Sequence, residues 1–162
     1  MFRLRIAAVT CGLLVAACRI EDHTPTGSRN DDEAIQHVLV EYTRGLSARD
    51  WPCVRELFWS EAVYAVALPT RNLVLPIDSA RQRLLPPGQA GDGRAFDVRI
   101  LRSDTRQEGD LAAGWLLSRR RLTSPAGVVL ESDWTEHVVL RRVRGEWRIL
   151  SIALAGGARR RS

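Results

Sequence analysis

The fold is decided by residues 127–154, which read GVVLESDWTEHVVLRRVRGEWRILSIAL. Apolar and polar residues alternate on both sides of the Arg144-Gly145-Glu146 break, as they do in strands that bury one face. Two more alternating runs precede this stretch, and short turn-rich segments separate all four. Because short connections join antiparallel neighbours, we predict a meander of strands near 96–103, 111–122, 127–143 and 146–154.

The chain before this sheet has the apolar spacing of helices. A first helix is predicted to begin at Asp31 or Asp32, since acidic side chains favour a helix N-terminus. Its apolar residues recur every three or four positions and would share one buried face: Ile35, Val38, Leu39, Tyr42 and Leu46. Asp50 as a cap and Pro52 in the first turn predict a second helix. The buried stripe of that helix would comprise Val54, Leu57 and Phe58.

Short elements are predicted between these helices and the meander. Residues 62–68 indicate a first strand, and residues 73–75 a short extended piece that Pro76 ends. Asp78 or Ser79 is expected to cap a third short helix, which would carry Ala80 and Leu84. Helices first and a long antiparallel sheet after them define an α+β fold, with the helices packed on one face of the sheet.

The order of these elements and several of their residues resemble the nuclear-transport-factor-2-like superfamily, including its SnoaL-like and ketosteroid-isomerase-like groups. The resemblance covers residues 31–154. It rests on the corner at residues 47–51 (SARDW), on Leu57-Phe58, and on the closing segment 134–149 with its WTEH and GEWRI motifs. It implies a cone-shaped α+β roll, in which helices on a curved antiparallel sheet enclose an internal pocket. Ketosteroid isomerases carry a catalytic aspartate where this chain reads AVALP at residues 65–69.

The alternation of side chains along residues 127–143 predicts which of them face the helices. The more apolar set includes Trp134 and Glu136, so we expect both to face inward and His137 to lie on the outer surface. A carboxylate on an apolar face suits a general acid or base, which makes Glu136 a catalytic candidate. Alternatively, Glu136 is paired with an arginine or lies at the rim of the sheet, because buried carboxylates are usually paired.

Aromatic residues supply the other pocket candidates. Tyr42 could present its hydroxyl to a ligand, which makes it the second catalytic candidate, while Trp59, Tyr64, Trp115 and Trp134 could line an apolar pocket. Each of these rings could equally pack in an ordinary core. No histidine pair has the spacing of a metal site, and no phosphate-binding or dinucleotide motif occurs. We therefore expect neither a metal nor a cofactor.

Residues 1–17 predict an export signal. Arg3 and Arg5 precede an apolar run that is too short to span a bilayer permanently. The segment Val15-Ala16-Ala17 before Cys18 resembles the lipobox of bacterial lipoproteins, which implies cleavage before Cys18 and lipid, palmitate included, on the mature terminus. A plain signal peptide with an incidental cysteine is the alternative.

The mature chain is predicted to have three parts. Residues 18–30 form a flexible tether, residues 31–155 the folded domain, and residues 156–162 a basic tail. Arg19 directly after the lipidated cysteine favours the outer membrane in Gram-negative lipoproteins, so we expect the domain to face the periplasm from that membrane. Cys53 is the one remaining unmodified thiol, and its helical setting predicts a small core residue.

The charge of the chain argues against a nucleic-acid binder. All 24 basic residues are arginine, and the formal charge is +5. Removal of Arg3 and Arg5 with the signal leaves +3, because all 19 acidic residues follow it. This excess is small and dispersed along the chain, whereas nucleic-acid binding requires a concentrated basic surface.

Three functions fit these patterns. The leading hypothesis is a membrane-anchored domain that binds a small apolar ligand or a protein partner without catalysis, since a cavity is expected without a convincing acid/base pair. The alternative is an isomerase, dehydratase or cyclase-type enzyme, with Glu136 as general base and Tyr42 or Tyr64 as hydrogen-bond donor. The third is a homodimerisation module that pairs through an exposed sheet face.

Overall fold

The computed structural model describes residues 29–68, 70–85 and 92–161, with side chains placed from residue 31 to residue 156 within those ranges. The predicted signal, Cys18 and the tether as far as residue 28 lie outside them. The elements, in chain order, are helices α1 (Arg29–Ala48) and α2 (Trp51–Glu56), strands β1 (Phe58–Ala67) and β2 (Asn72–Pro76), a 3-10 turn at Ile77–Ser79, helix α3 (Arg81–Leu84), and strands β3 (Ala95–Glu108), β4 (Leu111–Thr123), β5 (Val129–Val143) and β6 (Glu146–Arg161).

The six strands form one sheet in the order β2-β1-β6-β5-β4-β3. The predicted meander is confirmed, because β3, β4, β5 and β6 pair antiparallel with their sequence neighbours. The predicted α+β fold class is confirmed, and the sheet is mixed because β1 pairs parallel with β6. Turn residues identify hairpins between neighbouring strands, whereas this pairing joins strands that are far apart in sequence.

Helix α1 covers the concave face of the sheet and packs on β3 and β6. Its predicted apolar face is confirmed, since Ile35, Leu39, Tyr42 and Leu46 are at most 1% exposed. The helix begins at Arg29, slightly before the predicted start. None of the described helices has the length and apolar character needed to cross a bilayer.

Helix α2 confirms its predicted cap and corrects its predicted stripe. The Asp50 carboxylate accepts a hydrogen bond from the Cys53 backbone N–H at 3.1 Å. Phe58 is buried but begins β1, so it is not part of the helix. Cys53 is exposed, and its predicted place in the core is wrong. A six-residue helix has room for little more than one inward position, which Val54 occupies.

The short elements after β2 also differ from prediction. Neither Asp78 nor Ser79 caps α3, because both lie in the 3-10 turn and Ala80 occupies the cap position without a side-chain bond. Asp78 instead accepts a hydrogen bond from Arg55 Nε at 2.5 Å. Leu84 lies in α3 as predicted, whereas Ala80 precedes the helix; both residues are buried.

Strand β6 bends where it pairs with β5. The register shifts between Asp133 and Trp134, opposite Gly156, whose φ is +118°. A Cβ at residue 156 would lie 3.0 Å from the Asp133 carbonyl oxygen, so glycine is required there. The backbone of residues 156–161, which we predicted as a tail, continues β6 beyond this bulge.

Candidate functional site

A cavity of about 470 Å³ lies between α3 and the concave face of the sheet. This size falls within the range of about 300–1,000 Å³ that small-molecule sites occupy. Most of its wall is apolar and comes from four strands and α3, with Tyr64, Leu84, Phe96, Leu122, Leu130 and Trp134 as the larger contributors. Polar groups reach it from Gln82, Arg83, Arg120, Glu131 and Ser132.

Beneath this cavity, Glu136 is fully buried and receives three hydrogen bonds. The Tyr42 hydroxyl donates to Oε2 at 3.2 Å, and Arg120 Nη2 donates to Oε1 at 3.3 Å. The Ser118 hydroxyl makes a short hydrogen bond to Oε1. Glu136 is 0% exposed and does not line the cavity. Both carboxylate oxygens are therefore held by donors of the protein itself.

Arg120 lies between Glu136 and the cavity. Its side chain is 8% exposed, and its guanidinium carbon lies 5.2 Å from the centroid of the Trp134 ring. Burial is the largest single influence and works against the charged form. The charge of Glu136, the nearby Tyr42 and Tyr64 hydroxyls and the hydrogen bond to Glu136 together outweigh it, so the pKa of Arg120 lies above its usual value. The cavity floor is thus a permanently cationic, mostly desolvated side chain stacked on an aromatic ring.

Strand register brings these groups together. On β4 and β5, Ser118 is opposite Trp134, and Arg120 is opposite Ser132. Residues two apart on a strand share a face, so Glu136 follows Trp134 on the concave side. Side-chain alternation along β5 predicted that Glu136 and Trp134 lie on this face, whereas Ser118 and Arg120 were not predicted there. Alternation along β4 does indicate that Arg120 faces inward, because Arg120 is four residues after the buried Leu116 and therefore lies on the same face of the strand.

The two tyrosines differ in what their hydroxyls reach. Tyr42 is 0% exposed and bonded to Glu136; burial, followed by the nearby Glu136 charge, holds its pKa well above 10. Tyr64 lines the cavity, and its hydroxyl makes no hydrogen bond within the described part of the chain. Burial is the main reason that the pKa of Tyr64 is raised as well. Both phenols are therefore neutral near pH 7.

Two of the predicted pocket residues lie elsewhere. Trp115 is 60% exposed on the convex face, where its ring is 4.6 Å from that of His137, and neither residue lines the cavity. His137 is thus on the outer surface of the sheet, as predicted. Trp59 is half-buried and donates its indole N–H to the Arg141 carbonyl oxygen at 3.2 Å. It also stacks under Arg148, away from the cavity.

No group of three or more metal-ligating side chains occurs among the residues whose placement is described. The polar lining of the cavity consists of arginine, glutamine, serine, tyrosine hydroxyl and one glutamate. Glu131 is the carboxylate that lines the cavity, and it lies 3.7 Å from Arg121. This donor-rich set suits an acceptor group on an organic molecule.

Comparison with known proteins shows similarity in fold alone. No family model matches the sequence, and no curated protein matches it. Solved structures do match. A nuclear-transport-factor-2-like protein of unknown function from Shewanella baltica is 20% identical, with 81% of this chain and 97% of that chain covered and a TM-score of 0.56. A type 2 hexachlorocyclohexane dehydrochlorinase is 11% identical, with 82% and 89% covered and a TM-score of 0.65.

The association domain of Caenorhabditis elegans calcium/calmodulin-dependent kinase II also matches, at 14% identity, with 77% of this chain and 95% of that chain covered and a TM-score of 0.61. Neighbours with this architecture therefore include an enzyme, an assembly domain and a protein of unknown function. One fold that serves such different roles does not fix the role of this chain. The helices, the curved mixed sheet and the cavity on its concave face identify this chain as having the nuclear-transport-factor-2-like fold.

Proposed function

We propose that this protein is a lipid-anchored domain that binds a small, mostly apolar ligand in the cavity on the concave side of its sheet, without catalysis. The observation that carries the proposal is an apolar cavity of about 470 Å³ with few polar groups at its floor. Burying an apolar ligand there releases about 25 cal/mol for each Å² removed from water, and the polar groups would set its orientation.

The enzyme alternative receives less support from the geometry. A general base must come within hydrogen-bond reach of the proton it removes. Glu136 is sealed from the cavity, and its oxygens accept bonds from Tyr42, Ser118 and Arg120. Tyr42 has its hydroxyl committed to Glu136, whereas Tyr64 faces the cavity. A turnover that Glu136→Gln abolishes while the domain stays folded would favour the enzyme instead.

Binding of a neutral probe tests the proposal. We expect 2-naphthamide to bind the full-length protein in lipid nanodiscs saturably, in a calorimetric titration with empty nanodiscs as the blank. Leu130→Trp should weaken binding by about tenfold or more, because a larger ring would fill the space that Leu130 borders. Val128→Trp is the matched control, since Val128 is 56% exposed outside the cavity and binding should be unchanged. Absence of saturable binding of both this amide and the corresponding acid, 2-naphthoate, would refute the apolar-ligand proposal.

The lipid anchor is tested by intact mass. We expect the chain isolated from bacterial membranes to begin at Cys18 and to carry the added mass of a diacylglyceryl group and an amide-linked acyl chain. Such anchoring requires more than one acyl chain, because each buried methylene contributes only about 0.8 kcal/mol. A chain that begins elsewhere, or that carries an unmodified Cys18, would contradict the anchor. Placement in the outer membrane, facing the periplasm, stays part of this proposal.

Homodimerisation also stays a proposal. The convex face exposes Trp115 and Leu117 at 60% and 38%, respectively, and Leu111 lies on the same face at 49% exposed. Several large apolar side chains exposed on one face of a sheet favour a contact with another protein. Sedimentation at micromolar concentration separates a dimer from a monomer.

A further inference from the structure

The two members of the Arg120–Glu136 ion pair lie at different depths, and only one of them reaches the cavity. The acidic member, Glu136, is 0% exposed and covered by Tyr42 and Ser118, whereas the basic member, Arg120, lines the cavity. A ligand in the cavity therefore meets the guanidinium and not the carboxylate. The pair as a whole is neutral, but the end that it presents to a ligand is cationic.

Most of the hydrogen-bonding capacity of Arg120 is left unused by the residues whose placement is described. A guanidinium has five N–H donors, and among the described residues Arg120 has one acceptor, Glu136. Its Nε is buried and has no acceptor in the described part of the chain. Buried donors in native proteins are nearly always paired, so a side chain that is nine-tenths buried with most of its donors free indicates a ligand-binding group.

The charges around the cavity also favour an anion. Arg83 lines the cavity from α3, and its side chain is exposed. Glu131 lines it too, but Arg121 offsets that charge at 3.7 Å. The Arg120–Glu136 and Arg121–Glu131 pairs are each neutral, so Arg83 leaves one net positive charge among these groups. A basic lining of this kind raises the local concentration of anions.

We infer that the ligand is a small monocarboxylic acid with an apolar body, bound with its carboxylate on Arg120 and its body against Trp134, Phe96 and Leu122. This inference rests on the proposed function, because it names the class of ligand for the same cavity. The planar fork of arginine matches a carboxylate, and charge-assisted hydrogen bonds of this kind are stronger than neutral ones. The Trp134 ring beneath Arg120 continues the apolar surface on which the body of the ligand would lie.

A pair of isosteric probes tests the charge of the ligand. 2-Naphthoate and 2-naphthamide share one ring system and differ in the head group, and the naphthoate is ionised at pH 7 because such acids titrate at about pH 4. We expect the full-length protein in nanodiscs to bind 2-naphthoate at least about tenfold more tightly than 2-naphthamide, by calorimetry. Acetate, which has the head group without the body, should not displace either probe at comparable concentration.

Variants of the buried pair, with a control on β4, assign the preference to Arg120. The double variant Arg120→Met with Glu136→Leu removes both buried charges together, and it should bind the two probes equally. Arg119→Met is the matched control, because Arg119 is the adjacent residue, points to the other face and pairs with Asp133; it should keep the preference. Arg120→Lys, which keeps the charge but loses the fork, should reduce the preference and serves if the double variant does not fold.

The outcomes separate the two claims. Equal binding of both probes by the unmodified protein would overturn the inference and leave the proposed function standing. A preference for 2-naphthoate that survives in the double variant would also overturn the inference, because it would place the carboxylate elsewhere. If neither probe binds, the proposed function and the inference both fail.

Discussion

Replacing Arg120 by methionine is expected to lower the free energy of unfolding by about 3–5 kcal/mol, the cost of removing one partner from a buried ion pair. This loss of stability is expected because the buried Glu136 carboxylate remains after Arg120 is removed. Glu136, at 0% exposed, would keep only the Tyr42 and Ser118 hydroxyls as donors and would have no compensating charge. Urea unfolding followed by tryptophan fluorescence measures the change.

Two variants decide whether the pair itself causes this loss. Arg119→Met should cost far less, since Arg119 is 40% exposed and its pair with Asp133 is screened by water. The double variant Arg120→Met with Glu136→Leu should recover most of the stability, because well-packed apolar residues can replace a buried pair. A loss in Arg120→Met no larger than that in Arg119→Met would show that the pair is not desolvated, contrary to our account.

Removing the Tyr42 hydroxyl should have the second-largest effect. We expect Tyr42→Phe to cost about 1.5–3 kcal/mol, the value of a hydrogen bond to a charged group. Tyr64→Phe deletes the same atom from a ring that is also buried, but the Tyr64 hydroxyl has no bond to lose within the described residues, so its stability should hardly change. Equal losses in the two variants would contradict the assigned role of Tyr42.

The dependence of stability on pH gives a second readout for Tyr42. Its pKa in the folded chain lies well above 10, whereas an exposed tyrosine titrates at about 10. Between these values the folded chain binds more protons than the unfolded chain, so stability falls as pH rises. The decline above about pH 10 should be shallower in Tyr42→Phe than in the unmodified protein, as thermal unfolding at several pH values can measure.

Local pattern was sufficient to predict much of the fold. Alternation and turn residues predicted the four-strand meander, and three- and four-residue spacing predicted the buried face of α1. These features depend on periodicity within one element, which tertiary context rarely reverses. The parallel pairing of β1 with β6 could not be predicted in this way, because no turn joins the two strands.

The site was predicted in part. Parity placed Glu136 on the inner face, and the arginine partner that was the alternative to a catalytic role is present in the structure. The inward position of Arg120 was not predicted. It lies in the run Arg119-Arg120-Arg121, and three consecutive arginines suggest a solvated segment unless the alternation of side chains along the strand is applied to each of them. Trp115 was assigned to the pocket by residue type alone, and its own parity places it outside.

An acid bound in the cavity would place its carboxylate on Arg120, the member of the Arg120–Glu136 pair that lines the cavity. A crystal structure of the protein grown with 2-naphthoate locates that carboxylate. We expect electron density for the naphthalene ring against Trp134 and a carboxylate oxygen within hydrogen-bond distance of the Arg120 guanidinium. A cavity packed solid by side chains, or a probe bound with its carboxylate away from Arg120, would contradict this expectation.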